Sequence, residues 1–369
     1  LKIPVSAPLL GEKELEYVIN AVKSNWISSK GKYVSEFEEK FSRYCGAKYG
    51  IATSSGTTAL HLALASLDIG KNDEVIIPAF TMIATANAVT YTGAKPILVD
   101  SEPYTWNMDV EKISEKITKK TKAIIVVHTY GHPVDMDPIC DIAGDHGLKV
   151  IEDAAEAHGA EYKGIKVGGI GDVGCFSFYA NKIVTTGEGG MIVTNDEKIA
   201  DKARMLRAHA FSEDRHFWHR FIGFNYRMSN LQAAIGVAQM EKIEELVELR
   251  RRNAEKYNSL LKKLEGISLP PEAIWAKSVY WMYSILIEGN FGMNRDTLME
   301  ELEKGGIETR TFFYPINIQP IYAKYYSNEN YPVASELSRK GINLPSGATL
   351  KEEDIEYVVD HIVRARESV

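Results

Sequence analysis

The sequence predicts an α/β protein: a largely parallel sheet of about seven strands with helices on both faces, followed by a smaller α+β unit. Three observations carry this reading. Between Tyr49 and Asn195 short β-branched runs alternate with helical patterns, the order that builds β–α–β units. Most of those runs are apolar on both faces, as strands covered from two sides must be, whereas a half-solvated sheet would alternate. After Asn195 the alternation ends, and Pro270-Pro271 interrupts the chain before a further strand pattern.

The elements follow in order. Glu12–Ser24 has helical spacing and packs on one of the two units. Strand patterns come at residues 50–53, 74–77, 96–99, 123–127, 149–151, 174–178 and 191–194, runs such as Ala123-Ile124-Ile125-Val126-Val127 that are short and β-branched. Helical patterns separate them, for example Thr81 to Tyr91 and Pro138 to His146. Glu197–Arg207 is helical, and Leu231–Leu264 reads as one long helix charged along one side. Tyr280–Ile287 is a strand pattern and Arg295–Lys304 a helix. The chain therefore divides into a large unit, residues 1–250, and a small unit, residues 251–369.

Composition sets the outer limits. With 45% hydrophobic and 25% charged residues, the 369-residue chain can bury a substantial core. A net charge of −7 argues against nucleic acid as a partner, because tracking a phosphate backbone takes clustered cations. The densest basic run, Arg250-Arg251-Arg252, follows Glu241, Glu244, Glu245 and Glu248 and reads as a solvated, mixed-charge helix face. Cys45, Cys140 and Cys175 are too scattered for a disulfide frame or a zinc site and suit a reducing compartment. There is no apolar run of membrane-spanning length and no signal-peptide pattern, so a cytoplasmic location and no membrane partner are expected.

One constellation carries chemistry. Lys182 lies between the run Phe176-Ser177-Phe178-Tyr179 and the turn Thr185-Thr186-Gly187-Glu188-Gly189-Gly190, whose glycines let backbone approach a ligand closely. Such a lysine either presents its amine to a cleft or is an ordinary surface residue. Ser177 either offers a hydroxyl to an anion or is a buried serine bonded to backbone. The apolar run ending at Ile151 delivers Asp153 and Glu156. Asp153 suits a helix N-cap or the charged partner of a protonated ring nitrogen; Glu156 suits a solvated loop or a ligand contact. Ser54-Ser55-Gly56-Thr57-Thr58 opens a helical run, as a capped start or a phosphate nest. An amine, an acid and a phosphate cradle are the protein parts that pyridoxal phosphate requires. Two other patterns carry nothing. Gly169-x-Gly171-x-x-Gly174 matches the dinucleotide fingerprint but precedes a strand, where that fingerprint needs strand then helix. His216-x-x-His219 has no third ligand in register, so no metal is expected.

The runs Trp26-Ile27-Ser28-Ser29, Ser55 to Leu64, Glu152 to Glu156, Phe176 to Gly190 and Gly223 to Asn230 together resemble the sugar-nucleotide aminotransferases of the DegT/DnrJ/EryC1/StrS family. The resemblance spans residues 4–362. It implies a pyridoxal-phosphate-dependent transferase of fold type I, working as a homodimer with shared active sites. Carried over position by position, it implies that Lys182 holds the cofactor covalently and moves the proton, while Asp153 pairs with the pyridine nitrogen. Ser55, Gly56, Thr57 and Ser177 would hold the phosphate, with Asn225 supplied by the partner subunit. Met82 stands where many relatives place an aromatic on the ring face, and Glu156 would lie near the ring oxygen or the substrate. Trp218, Arg227 and Tyr314 would contact substrate; Arg227 and Arg310 both remain candidates for the carboxylate of L-glutamate, the family's usual donor. The implied acceptor is a nucleotide-linked 4-keto-6-deoxyhexose aminated at C4. Trp218, Tyr280–Tyr283 and Phe313-Tyr314-Pro315 most resemble members that use GDP-4-keto-6-deoxy-D-mannose. The alternatives are a UDP- or dTDP-linked acceptor, a sugar 3-dehydratase, and a non-catalytic cofactor-binding regulator. Relatives that are dehydratases carry histidine where Lys182 stands.

Overall fold

The computed structural model describes residues 3–212, 215, 217–326 and 328–367. The seven expected strand runs form one sheet: β1 (Tyr49–Thr53), β2 (Glu74–Pro78), β3 (Lys95–Val99), β4 (Thr121–Val127), β5 (Lys149–Asp153), β6 (Val173–Ser177) and β7 (Gly190–Thr194). Their order is β1-β7-β6-β5-β4-β2-β3. Strands β2 to β6 pair in parallel, while β7 runs antiparallel between β6 and β1. In such a sheet ligands sit beyond the carboxyl ends of the strands. Val127, Asp153 and Ser177 end β4, β5 and β6 there, and β7 starts alongside, with Gly190 opposite both Ser177 and Thr53. A Cβ at Gly190 would lie 2.2 Å from the Ser55 carbonyl oxygen, so only glycine lets the strand begin so close to that turn.

The helices depart from the sequence reading in instructive places. Ile83–Tyr91, Met136–His146 and Glu197–Arg207 lie close to their expected positions. The single helix expected over 231–264 is two, Asn230–Met240 and Ile243–Leu261. Lys242 leaves the helical region at the break (φ −127°, ψ 18°), and side chains flanking the break hold the N-terminal segment. Lys242 Nζ reaches the Leu9 carbonyl at 3.1 Å and Glu14 at 2.7 Å, and Gln239 Nε2 donates to the Leu9 carbonyl at 3.0 Å. The helix Glu12–Lys23 accordingly packs against Asn230–Met240. Arg250, expected on a solvated face, is 3% exposed. Its guanidinium donates to the carbonyls of Trp281 at 2.6 Å and Ser346 at 3.3 Å, which replace water around the buried charge.

A second core lies C-terminally. Ile267–Ser268, Tyr283–Ile287, Gly341–Leu344 and Arg310–Thr311 form a four-stranded antiparallel sheet in that order. Tyr257, Tyr283, Leu298, Leu302, Ile355 and Ile362 pack together there. The strand expected from Tyr280 begins only at Tyr283. Tyr280 occupies the left-handed region (φ 45°), and the resulting turn sends Trp281 into the core of the large sheet. Cys45, Cys140 and Cys175 are free thiols. Among the described residues no helix is long and apolar enough to cross a membrane.

Candidate active site

The carboxyl edge of the large sheet and residues of the C-terminal part enclose a cavity of about 380 Å³. Ser55, Gly56, Thr57, Met82, Asp153, Glu156, Ser177 and Lys182 all line it, although they come from four separate stretches of chain.

One end is an anion cup. Helix Gly56–Ser66 starts directly after β1, capped by Ser55, whose hydroxyl accepts from the Thr58 amide at 3.2 Å. Amides of a first helical turn have no intrahelical acceptor and lie at the positive end of the helix dipole, so Gly56 and Thr57 present donors to the cavity. Ser177 faces them closely: a Cβ at Gly56 would lie 2.7 Å from its Cβ. Its hydroxyl oxygen accepts from the Tyr179 amide at 3.4 Å, which leaves the hydroxyl proton for an anion.

Asp153 closes the other end. No helix begins at this residue, which excludes the cap reading. Its Oδ2 accepts from Thr85 Oγ1 at 2.8 Å and its Oδ1 from the Ala155 amide at 3.3 Å. Thr85 in turn lies 3.0 Å from the Thr81 hydroxyl. Burial pushes the Asp153 pKa up, against the pull of Thr85, Ala155 and Lys182.

Lys182 and Glu156 meet on the wall between these ends. The lysine side chain is 10% exposed, and its Nζ lies 4.0 Å from Glu156 Oε1 and 3.4 Å from the centroid of the Trp281 ring. Burial lowers the Lys182 pKa from 10.5 to about 8. Glu156 and Asp153 raise it, and Arg250 and Arg310 lower it further. Glu156 Oε2 accepts from the Tyr130 amide at 2.8 Å; burial raises this carboxyl to about 7 against the attraction of Lys182. An amine so placed loses its proton far more readily than an exposed lysine, which suits it to general-base work. The solvated readings of Lys182 and Glu156 do not hold.

The remaining expected residues lie elsewhere. Trp218 is half exposed, with the Arg215 guanidinium 4.5 Å from its ring centroid. Asn225 and Arg227 are exposed and bonded to each other at 2.9 Å. Tyr314 is exposed too, while its neighbour Phe313 faces the cavity. None of Trp218, Asn225, Arg227 and Tyr314 lines the cavity of its own chain, whereas Arg310 does. Thr85 and Asn181 hold positions at the site that the sequence pattern left without a role, and Trp281, which the resemblance placed in the aromatic set of the sugar acceptor, lies against Lys182.

The discarded glycine run has a structural purpose. Glu152 is fully buried, and its carboxylate accepts from the amides of Gly168 at 2.6 Å, Ile170 at 2.8 Å and Gly171 at 2.6 Å, and from His128 Nε2 at 3.1 Å. His128 Nδ1 accepts from the Val134 amide, so Nε2 carries the proton. The loop wraps an anion, and that anion is the protein's own carboxylate. His216, in the other discarded pattern, lies outside the described residues.

A sequence model of the DegT/DnrJ/EryC1/StrS aminotransferase family matches residues 8–363. A GDP-perosamine synthase of Caulobacter vibrioides is 46% identical over 359 residues, covering 97% of this chain and 96% of the relative. A GDP-perosamine synthase of Escherichia coli O157:H7 is 45% identical over 360 residues, covering 98% and 97%. Among solved structures, DesV of S. venezuelae in complex with a ketimine intermediate has a TM-score of 0.91 at 34% identity, covering 96% of this chain and 95% of that one.

Proposed function

The chain belongs to the DegT/DnrJ/EryC1/StrS aminotransferase family, and on that premise we propose that it moves an amino group from L-glutamate to C4 of GDP-4-keto-6-deoxy-D-mannose, giving GDP-perosamine. Pyridoxal phosphate is the cofactor. The residues present fit it: an anion cup at Gly56, Thr57 and Ser177, a buried carboxylate at Asp153 and a buried amine at Lys182 share one cavity. When bound, the cofactor supplies an electron sink for negative charge developing beside the transferred nitrogen.

The chain's own residues do the rest. Asp153, oriented by Thr85, would hold a proton on the ring nitrogen. Lys182 Nζ would take a proton from the donor's α-carbon in the first half-reaction and deliver one to C4 of the sugar in the second. Ser55, Gly56, Thr57 and Ser177 would grip the phosphate, and Met82 would lie against the ring. Arg310 lines the cavity and Arg227 does not, which favours Arg310 as receptor of the donor carboxylate. Trp281 and Phe313 exclude water from the wall they share.

The GDP-linked acceptor is supported by the two relatives named GDP-perosamine synthases. A homodimer with shared sites is supported by Asn225, which is exposed and outside its own chain's cavity. An apolar stripe on the N-terminal helix, Leu15, Ile19 and Val22 continued by Trp26, supports the same assembly. The two hydrophobic cores support a division into units 1–250 and 251–369, with helix Ile243–Leu261 crossing the join. Free thiols fit a cytoplasmic setting.

The observation that carries the reading is the buried Lys182 amine facing Glu156 in a cavity that ends in the anion cup. The test compares kcat/KM for GDP-, UDP- and dTDP-linked 4-keto-6-deoxyhexoses with L-glutamate as donor. A marked preference for the GDP sugar is expected, because a site with donors placed for one base binds poorly when an analogue leaves them unpaired. Preference for a pyrimidine nucleotide would remove the perosamine assignment and leave the aminotransferase one.

A further inference from the structure

Trp281 belongs to the chain beyond the second core's first strand, yet its ring lies against the catalytic lysine, with Nζ 3.4 Å from the ring centroid. The indole is held from several sides. Its Nε1–H donates at 2.9 Å to the carbonyl of Asn181, the residue before Lys182. Its own carbonyl accepts from Arg250 Nη1 at 2.6 Å, and Nη2 of the same guanidinium reaches the Asn181 carbonyl at 3.4 Å. Tyr130 lies nearly parallel to it, with an interplanar angle of 25° and centroids 6.3 Å apart. Tyr130 also donates its amide to Glu156, the carboxylate whose Oε1 lies 4.0 Å from the lysine amine. Tyr130 and Tyr280, which approach this contact from the two parts of the chain, both sit at left-handed φ, 51° and 45°. Non-glycine residues keep that conformation only where their surroundings impose it.

We propose that Trp281 is a positioning residue for Lys182: the face of its indole, together with Glu156, holds the lysine's ammonium whenever the amine is not covalently engaged. This rests on the aminotransferase reading, in which the amine must be released and then act from a fixed place. A free lysine has four rotatable side-chain bonds, and a cation resting on a ring face keeps Nζ in one part of the cavity. The charged and titratable groups facing Nζ are Glu156 and Asp153, Arg250 and Arg310, with the His158 ring behind. The indole carries no charge of its own, so it retains the ammonium without fixing the proton as tightly as a further carboxylate would.

The test uses the full chain charged with pyridoxamine phosphate, which has no carbonyl to engage the lysine. The protein is acylated briefly with an amine reagent across a pH series, and the Lys182 peptide is quantified by mass spectrometry. Loss of the ring face favours the neutral amine, so Trp281→Leu should move the labelling midpoint down by about half to one pH unit. Trp281→Phe, which keeps a ring, should move it less. Biosynthetic incorporation of 5-fluorotryptophan weakens the ring face without truncation and should shift the midpoint in the same direction, so the test survives if Trp281→Leu does not fold. In turnover, Trp281→Leu should lower kcat more than it raises KM. An unmoved midpoint overturns the proposal, as does a raised one, since admitting water alone would raise it. Wild-type transamination is measured alongside: its absence counts against the function, whereas an unmoved midpoint in an active enzyme counts against Trp281 alone.

Discussion

Thr85 governs how Asp153 presents its charge, since it supplies the shorter of the two hydrogen bonds to that carboxylate. Thr85→Val keeps the shape and removes this donor. Rates of the first half-reaction should fall by about tenfold, the scale of one hydrogen bond to a charged group. Asp153→Asn removes the charge itself and should cost on the order of 10²-fold or more in the same stopped-flow measurement. Equal effects would mean that Thr85 does more than orient the carboxylate. The two residues differ in how legible they were. Asp153, Glu156, Lys182 and the Ser55–Thr57 turn stand at the ends of apolar runs, so the pattern alone points to them. Thr85 lies 68 residues from Asp153, so only the fold brings it in. Trp281 stood in a quoted aromatic run, but the carbonyl it binds lies 100 residues away, so its place beside Lys182 did not show. Arg250 was misread because a triplet of arginines does not show which one turns inward.

At the scale of elements, the loop after β5 depends on a single side chain. Glu152, itself fully buried, satisfies three backbone amides and one imidazole N–H. Glu152→Gln puts an amide N–H2 against groups that are themselves donors. It should destabilise the fold by about 3 kcal/mol in urea titrations, with the cavity residues still in place. A loss under about 1 kcal/mol would show that the loop holds itself. The strands were legible because each is a short apolar run flanked by turn residues. The break between Asn230–Met240 and Ile243–Leu261 was not, because the helical spacing continues through it. The groups that make use of the break, Leu9 and Glu14, lie at the other end of the sequence.

At the scale of the whole molecule, two histidines tie stability to pH. His158 lies among Phe41, Phe176 and Phe178. Burial pushes its pKa down to about 3, with Lys182 and Arg250 adding to the effect. Burial likewise lowers His132 to about 4, opposed by its bond to the Pro133 carbonyl and by Glu272. Both folded values lie below the unfolded value of 6.5, so the unfolded chain binds more protons and stability falls as pH drops below 6.5. Each histidine should cost about 2 kcal/mol between pH 7 and 5, read as a falling urea midpoint. His158→Phe should remove roughly half of that slope. Assembly is testable at the same scale. Mixed Lys182→Ala and Asn225→Ala subunits should regain activity that neither has alone, since some hybrid sites receive both wild-type residues. No recovery despite demonstrated subunit exchange would count against shared sites.

The Arg250 guanidinium, bonded to the carbonyls of Trp281, Asn181 and Ser346, also decides where traffic passes. It backs the wall that Asn181 and Trp281 line, and the solvent-exposed lining residues, Met82, Tyr179, Glu188 and Arg310, mark the doorway. Glutamate and nucleotide sugar then share one vestibule and cannot queue behind each other. Each should act as a competitive inhibitor of the other at high concentration, so the flux through this enzyme is set by the ratio of its two substrates as well as by their amounts.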